Sequence, residues 1–177
     1  AEEFARQGLG VEKTLQRTNA ALTLSRLGAM DSVKATESLT AALNTFGTSV
    51  SDATTVVNKL AQVDAEFAVS SGDLAEAIKR TGSSALGAKV SFEELLAVVT
   101  VTQERTARGG AVIGNAFKTI FTRIQRPEVL NQLELIGVQV RKQNGEILPA
   151  IEILKQYASV YDSLNPALKS NTAQLIA

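Results

Sequence analysis

The sequence predicts an all-α fold, a compact module of short helices separated by glycine and proline turns. Three observations support this prediction. Apolar residues recur at helical spacing in most segments, capping residues precede those segments, and 12 glycines and 3 prolines interrupt the pattern along the 177 residues. A strict heptad pattern never persists beyond about two repeats, which is fewer than a coiled coil requires. We therefore expect a folded helical globule rather than one long helix.

The first two long helices are predicted from their apolar residues and their ends. The first helix ends near Gly28 and carries these apolar residues: Val11, Leu15, Leu22 and Leu27. Asp31 or Ser32 can cap the second, which ends near Gly47. Its apolar stripe consists of Val33, Leu39, Leu43 and Phe46. Both segments indicate helices that bury one face.

Capping residues mark the starts of the next three helices. Ser51 can cap a segment that contains Val56, Leu60 and Val63. Ser70 and Asp73 have the spacing of a capping box, and so do Ser91 and Glu94. The segment after Ser91 is rich in valine, which also suits a strand. The capping box and the 3.6-residue period favour a helix there.

The stretch ARGGAVIGNAFKT, residues 107–119, resembles a phosphate-binding loop in its glycine spacing. Such a loop needs a lysine and a serine or threonine directly after its last glycine, and it connects a strand to a helix. Asn115 and Ala116 occupy those two positions and a helix is predicted before Gly109, so we predict that this stretch binds no nucleotide. The residues that follow have the spacing of a buried helix face: Ile113, Phe117, Ile120, Phe121 and Ile124. Gly110 and Gly114 then form a small face on which another helix backbone can pack closely.

After residue 126 the sequence contains proline-started helices and one segment of alternating polarity. Pro127 suits the first position of a helix that contains Leu130, Leu133 and Ile136 and ends at Gly137. Residues 138–148 alternate in polarity around Asn144-Gly145, a pattern that predicts a small β-hairpin packed on the helices. Pro149 begins a further helix, which Asn165-Pro166 ends. We expect one domain, with residues 1–126 as the helical core and 127–177 packed on it.

The composition excludes several classes of function. The chain has no Cys and no His, so it lacks a disulfide framework, a thiolate metal site and the commonest general base. Lys plus Arg and Asp plus Glu number 18 each, so the overall charge indicates neither nucleic acid nor an acidic membrane as a partner. The longest dense apolar run, at 95–101, is shorter than the ~18 residues of a membrane span. We therefore predict no catalytic residue, no cofactor, no metal and no enzymatic activity.

Acidic pairs are the remaining candidates for catalysis. They are Glu2-Glu3, Glu93-Glu94, and Asp64 with Glu66. Adjacent residues on a helix do not face each other, and acids in a first helical turn stabilise the helix. A capping role or a solvated surface explains these carboxylates better than acid–base chemistry does.

Five cations without an intervening acid lie within residues 105–126: Arg105, Arg108, Lys118, Arg123 and Arg126. Contact with DNA or phosphate is one interpretation, but no stacking aromatic residue accompanies the cations. A solvated face or a contact with a protein partner is the more common role of such a cluster. We predict no nucleic-acid partner, and contact of this segment with DNA stays open.

The ordered set of segments resembles the core region of phage tail tape measure proteins. It runs from ALNTFGTSVSDATTVVNKLA through SSGDLAEAIKRTGSSALGAKVSFEELLAVV and GGAVIGNAFKTIFTRIQRPEVL to LIGVQVRKQNGEILPAIEIL. The resemblance covers roughly residues 3–165. No single motif is specific, and the order of the segments carries the resemblance. It implies a structural protein without catalytic residues, and we expect the chain to be part of a longer one.

The resemblance also implies partners and a location. Tape measure proteins set tail length during assembly and leave the tail ahead of the DNA on infection. The implied partners are other copies of the chain, tail tube proteins, distal tail or baseplate hub proteins, and tail assembly chaperones. The implied location is the virion tail, in the tube lumen or at the tip, and the host cytoplasm during assembly. Two alternatives stay open: a membrane-active or cell-wall-active segment of the same tail protein, and a generic helical adaptor.

Overall fold

The computed structural model describes residues 2–47 and 52–177, and these residues form α-helices joined by short loops. In chain order the helices are α1 (Glu2–Arg6), α2 (Val11–Leu27), α3 (Ser32–Phe46), α4 (Ala53–Glu66), α5 (Ser71–Gly87), α6 (Phe92–Thr106), α7 (Gly110–Arg123), α8 (Pro127–Leu135), α9 (Ala150–Tyr161) and α10 (Pro166–Ile176). The prediction of an all-α fold is confirmed. Val-rich α6 is a helix, so the strand interpretation of that segment does not apply.

The chain divides into two compact units, each with its own buried residues. The first unit comprises residues 1–82 and 91–115, and the second comprises residues 83–90 and 116–177. Large side chains fully buried in the first unit are Phe4, Leu24, Leu39, Leu60, Leu74, Ile78, Phe92, Leu95 and Ile113. Those of the second unit are Phe121, Ile124 and Leu130. The predicted single domain with a boundary at residue 126 stays a prediction.

In the first unit, α2 packs against α3 and α4. The buried residues of α2 are Ala20, Ala21 and Leu24, whereas the leucines and the valine that predicted this helix are exposed. Asp31 caps α3 by accepting hydrogen bonds from the backbone amides of Val33 and Lys34. The sequence pattern thus located α2 correctly but did not identify its buried face.

Carboxylate and hydroxyl caps fix the starts of α4, α5 and α6. Asp52 accepts a hydrogen bond from the amide of Thr55 at the start of α4; Ser51, the predicted cap, lies outside the described residues. The amide of Asp73 donates to Ser70 Oγ at 3.1 Å, as the predicted capping box requires. Ser91 and Glu94 form a complete capping box at the start of α6. The predicted box at Ser91 is therefore present in full, and Ser70 caps α5 through the amide of Asp73.

The second unit contains the proline-started helices. Pro127 occupies the first turn of α8, and Gly137 takes a left-handed φ of 88° just after that helix ends. Asn165 caps α10 by accepting a hydrogen bond from the amide of Leu168 at 2.9 Å. A hydrogen bond of 2.6 Å between Tyr157 and Thr172 joins α9 to α10. Pro127 and Gly137 agree with the sequence pattern, whereas α9 ends at Tyr161, before Asn165, and Asn165 caps the next helix.

The predicted β-hairpin at residues 138–148 is wrong, because the described chain contains no strand there. Asn144-Gly145 does make a turn, with Gly145 at a φ of 82°, but only one isolated antiparallel bridge, Arg141 with Ile147, follows from it. The backbone amide of Val138 donates to the carbonyl of Leu133 at 3.0 Å, and that of Gln139 donates to the side chain of Gln156 at 3.1 Å. Two backbone bonds do cross the turn, from the amide of Lys142 to the carbonyl of Glu146 at 2.8 Å and from that of Leu148 to Val140 at 2.9 Å. Beyond them the helices take up the amides of Val138 and Gln139, so the pairing does not continue into strands.

Candidate functional site: the Asp73 junction

The glycine-rich stretch at 107–119 connects two helices. Helix α6 ends at Thr106, Ala107 takes a left-handed φ of 52°, and α7 begins at Gly110. This is the helix-to-helix context that the sequence predicted. A phosphate-binding loop requires a strand before its glycines.

The carboxylate of Asp73 holds three elements together at this point. Its Oδ1 accepts a hydrogen bond from the backbone amide of Gly110 at 2.6 Å. Its Oδ2 accepts one from Nε2 of Gln103 at 2.8 Å and one from the hydroxyl of Ser70 at 3.0 Å. These donors belong to the start of α7, the end of α6 and the cap of α5. We call Asp73, Gln103, Gly110 and Gly114 the Asp73 junction.

Glycine allows α7 to approach the backbone of α5 at this junction. A Cβ atom added to Gly110 would lie 1.9 Å from the carbonyl oxygen of Asp73, a distance that no real side chain adopts. A Cβ atom added to Gly114 would lie 2.9 Å from the Cα atom of Ala77. The hydroxyl of Thr81 donates to the carbonyl oxygen of Gly114 at 2.9 Å. The prediction that these two glycines face another helix is therefore correct, and that helix is α5.

A second glycine contact lies at the start of the same helix. Gly28, which follows α2, packs on Gly72 so closely that a Cβ atom on Gly72 would lie 2.5 Å from the carbonyl oxygen of Gly28. Asp64 caps the neighbouring residue by accepting hydrogen bonds from the amide and the hydroxyl of Ser71, at 2.8 and 2.6 Å. The first two turns of α5 are thus held by α2, α4, α6 and α7.

An open groove of about 490 Å³ borders the junction. It is lined by Gly28, Met30, Lys34, Ser70, Gly72, Asp73, Glu76, Arg80 and Ala111. The charged side chains of the groove pair within the protein: Arg80 with Glu76 at 2.6 Å, and Lys34 with Asp31 at 3.9 Å. Asp73 is engaged as described above. The charged groups of this groove therefore cap helices or pair with residues three or four positions away on the same helix.

The electrostatics of the junction disfavour a phosphate. An anion bound at a helix start uses the free backbone amides there. At α7, the amide of Gly110 already donates to a carboxylate, and the negative charge of Asp73 would repel a second anion. This arrangement gives a physical reason for the prediction that the stretch binds no nucleotide, which stays a prediction.

The acidic residues singled out from the sequence cap helices or bond to neighbouring side chains. Glu94 completes the capping box of α6, and Glu93 pairs with Lys59. The hydrogen bond from Lys59 holds the pKa of Glu93 below its ordinary value. Glu66 accepts a hydrogen bond from Gln62 at 3.0 Å, and Glu2 pairs with Arg6 at 2.6 Å. The side chain of Glu3 lies outside the described residues.

Two other kinds of site are absent from residues 2–47 and 52–177. No group of three or more acidic side chains there is arranged to hold a metal ion. Among the helices of the same described ranges, none combines the length and the hydropathy that crossing a bilayer requires.

The five cations of residues 105–126 are divided between the two units. Arg105 and Arg108 are exposed at the end of α6 and in the loop that follows. In the second unit, Arg123 donates to the carbonyl oxygens of Gln174, at 3.4 Å, and Ala177. A cation at the end of a helix stabilises it, so Arg123 has a structural role at the end of α10. Whether the segment contacts DNA stays an open prediction.

The sequence alone did not identify Asp73 as the centre of the junction. Its spacing to Ser70 predicted the cap of α5, and the spacing of Gly110 and Gly114 predicted a packed face on α7. The link between the two runs over 37 residues, and no local pattern encodes it. One signal could have pointed to this contact. The start of a buried helix needs acceptors for its backbone amides, so the amide of Gly110 required a partner.

A family profile and a known phage protein each match most of this chain. The family profile described as "Phage-related minor tail protein" matches residues 1–176. A protein named "Tape measure protein", from Pneumococcus phage Dp-1, is 24% identical over 157 residues, which is 88% of this chain. The chain spans 14% of that relative's length. No solved structure matches the chain.

Proposed function

The chain belongs to the family of phage-related minor tail proteins, and we propose that it is a non-enzymatic structural segment of a tail tape measure protein. The observation that carries this proposal is the family match over residues 1–176. The tape measure protein of Pneumococcus phage Dp-1 supports it, since 88% of this chain aligns with a part of that protein.

The geometry agrees with a structural role. The carboxylates that the sequence offered for catalysis cap helices or pair with cations, and the glycines allow close helix packing. Both carboxylate oxygens of Asp73 accept hydrogen bonds, from three donors of the chain itself. These are the features of residues whose function is to hold helices in place.

Residues 1–177 act in this proposal as a folded helical module within a longer tail protein. The longest helices contain 17 residues and so span about 25 Å each. A continuous helix of 177 residues would reach about 265 Å. The measuring function would then depend mainly on extended helical segments elsewhere in the full protein, with this module folded between or beside them.

The finer parts of the proposal concern place, partners and timing. The module lies in the virion tail, in the lumen of the tube or at its tip, after assembly in the host cytoplasm. It contacts other copies of itself, tail tube proteins, distal tail or baseplate hub proteins, and tail assembly chaperones. The full protein contributes to tail length and leaves the tail ahead of the DNA.

An in-frame deletion of residues 1–177 from the full gene tests the proposal. Purified virions of the parent phage should contain the peptides of this module in their tails, detected by mass spectrometry of isolated tails. Phage with the deletion should yield absent, short or irregular tails in electron micrographs. Tails of normal number and length without the module, in virions that also fail to infect, would instead favour the membrane-active or cell-wall-active alternative. Absence of the module from purified tails would contradict a tail role altogether.

A further inference from the structure

Helix α2 carries a second apolar stripe that no part of the described chain covers. Val11, Leu15 and Leu22 expose 79%, 58% and 47% of their surface, while the opposite side of the helix packs on α3 and α4 through Ala20, Ala21 and Leu24. An exposed stripe of large apolar residues on a helix indicates a contact with another helix.

The stripe has the spacing of a coiled-coil seam over about three turns. With Val11 at a d position, Leu15 and Leu22 fall at a, and Thr18 and Ser25 fall at d. Leu27, which is 46% exposed, lies on a different side of the helix, about 140° from Leu22. The seam is therefore narrow and is confined to one side of α2. We call Val11, Leu15, Thr18 and Leu22 the α2 stripe.

The charges that flank the stripe identify its occupant. Glu12 and Arg26 both occupy e positions on the same edge of the stripe, one near each end of the helix. Both are exposed, and neither forms an ion pair within the described residues. In an antiparallel pair of identical helices, the same edge of each helix faces the other with its ends reversed. Glu12 of one copy would then lie beside Arg26 of the second copy, twice per dimer.

A parallel pair would not use these charges. There, e positions face g positions of the second helix, and the g positions of α2 hold Thr14 and Ala21. An antiparallel register also places Val11 opposite Leu22 of the second copy and Leu15 opposite Thr18. The charged residues thus favour the antiparallel orientation, and Val11 and Leu22 contact each other within it.

We propose that the α2 stripe is an isologous interface by which two copies of this chain associate, with their α2 helices antiparallel. This interface specifies the contact between copies that the proposed function includes, and to that extent it rests on the proposed function. It does not depend on where the full protein resides.

The expected strength follows from the size of the surface. Helix α2 is about 25 Å long, and one narrow stripe on it buries less than the roughly 1,200 Å² of a standard stable interface. We expect a weak, concentration-dependent dimer of the isolated chain. Local concentration within an assembling tail would strengthen such a contact.

Sedimentation equilibrium of the 177-residue chain over a wide concentration range tests the proposal. The parent chain should show a monomer–dimer equilibrium. Leu22→Glu should lower the association constant by about tenfold or more, because it places a charge in the buried seam. Leu27→Glu is the matched control, since the two leucines are equally exposed, and it should leave the association constant unchanged.

A charge exchange then tests the orientation. Glu12→Arg alone and Arg26→Glu alone should each weaken association by roughly fivefold, because two exposed ion pairs become repulsive contacts. The variant with both changes should recover the parent value, which only the antiparallel arrangement predicts. Circular dichroism of each variant confirms that the helices remain folded.

Three results would overturn the proposal: a parent chain that stays monomeric throughout, equal effects of Leu22→Glu and Leu27→Glu, or a double charge variant as weak as the single ones. None of these results would change the outcome of the tail deletion. The two proposals therefore fail separately.

Discussion

The backbone amide of Gly110 donates to the carboxylate of Asp73 at 2.6 Å, and the Cα atom of Gly110 faces the carbonyl oxygen of the same residue. One residue of α5 thus meets the first residue of α7 with both its side chain and its backbone. Because a Cβ atom would collide with that carbonyl oxygen, the hydrogen bond and the glycine depend on each other.

Adding a methyl group at the junction should destabilise the protein. Gly110→Ala and Gly114→Ala each place a Cβ atom against the backbone of α5, at 1.9 and 2.9 Å from its nearest atom. We expect each to lower the free energy of unfolding by about 1–3 kcal/mol, with the larger loss for Gly110→Ala. Urea denaturation followed by circular dichroism measures this loss.

The matched control for these substitutions is Gly87→Ala at the end of α5. Gly87 has open space where its Cβ would lie, and alanine favours a helix over glycine by up to ~1 kcal/mol. Gly87→Ala should therefore leave stability unchanged or raise it. Equal losses at all three glycines would contradict the packing explanation.

Replacing Asp73 by asparagine should weaken the junction without changing its size. The amide group of asparagine has one oxygen, so one of the donors now facing Asp73 would meet an NH₂ group instead. We expect a loss of about 1–3 kcal/mol in the free energy of unfolding. Glu104→Gln removes the same charge at an exposed position of α6 and should change stability by less than about 0.5 kcal/mol.

The capping box of α6 provides a test of a local interaction. Ser91→Ala removes the hydroxyl that accepts a hydrogen bond from the amide of Glu94 at 3.2 Å. The expected cost is about 1 kcal/mol. Ser83→Ala, an exposed position within α5, is the control and should be neutral or slightly stabilising. A neutral Ser91→Ala would mean that the cap does not contribute to stability.

Stability should fall in acid as three carboxylates become protonated. Hydrogen bonds lower the pKa of Asp31, Glu93 and Glu146 in the folded protein; the donors are the amide of Lys34, the side chain of Lys59, and the side chains of Lys89 and Lys142, respectively. A lowered folded-state pKa stabilises the protein above the unfolded-state pKa. That stabilisation is lost as the pH falls through the folded-state value.

Thermal unfolding from about pH 6 to about pH 2.5 measures this effect. The decline should lie below the ordinary values of 4.5 for Glu and 3.8 for Asp. A Glu93→Gln/Glu146→Gln variant should show a shallower decline, and about 1 M NaCl should reduce the difference between the variant and the parent. Parallel curves at low salt would rule out a contribution from these two glutamates.

Local patterns predicted the helices of this protein well, because helix starts and stops are encoded within a few residues. Pro127 and the box of Ser91 with Glu94 act where the sequence placed them, whereas Asn165, predicted to end one helix, caps the next. The hairpin at 138–148 failed for a tertiary reason. Its Asn-Gly turn forms and two backbone bonds cross it, but the amides of Val138 and Gln139, farther from the turn, bond to α8 and α9.

The packing partners were beyond local patterns. The glycines of α7 indicated a close contact, yet α5 could not be named as the partner from spacing alone. Similarly, the large apolar residues of α2 suggested its buried face, whereas Ala20, Ala21 and Leu24 form it. The two alanines allow α2 to pack closely on α3 and α4, and the larger residues that the pattern emphasised remain exposed.

Two substitutions in the full gene test whether tail assembly requires the Asp73 junction. Gly114→Leu and Gly87→Leu are introduced separately into the full gene of the phage, and tails are counted and measured by electron microscopy. Since Gly114→Leu forces α7 away from α5 while Gly87→Leu meets open space, we expect few or irregular tails from the first variant and normal tails from the second. The purified Gly114→Leu module is checked for loss of folding by circular dichroism. If it is unfolded and both variants still build normal tails, the claim that this folded segment is needed to build the tail is contradicted.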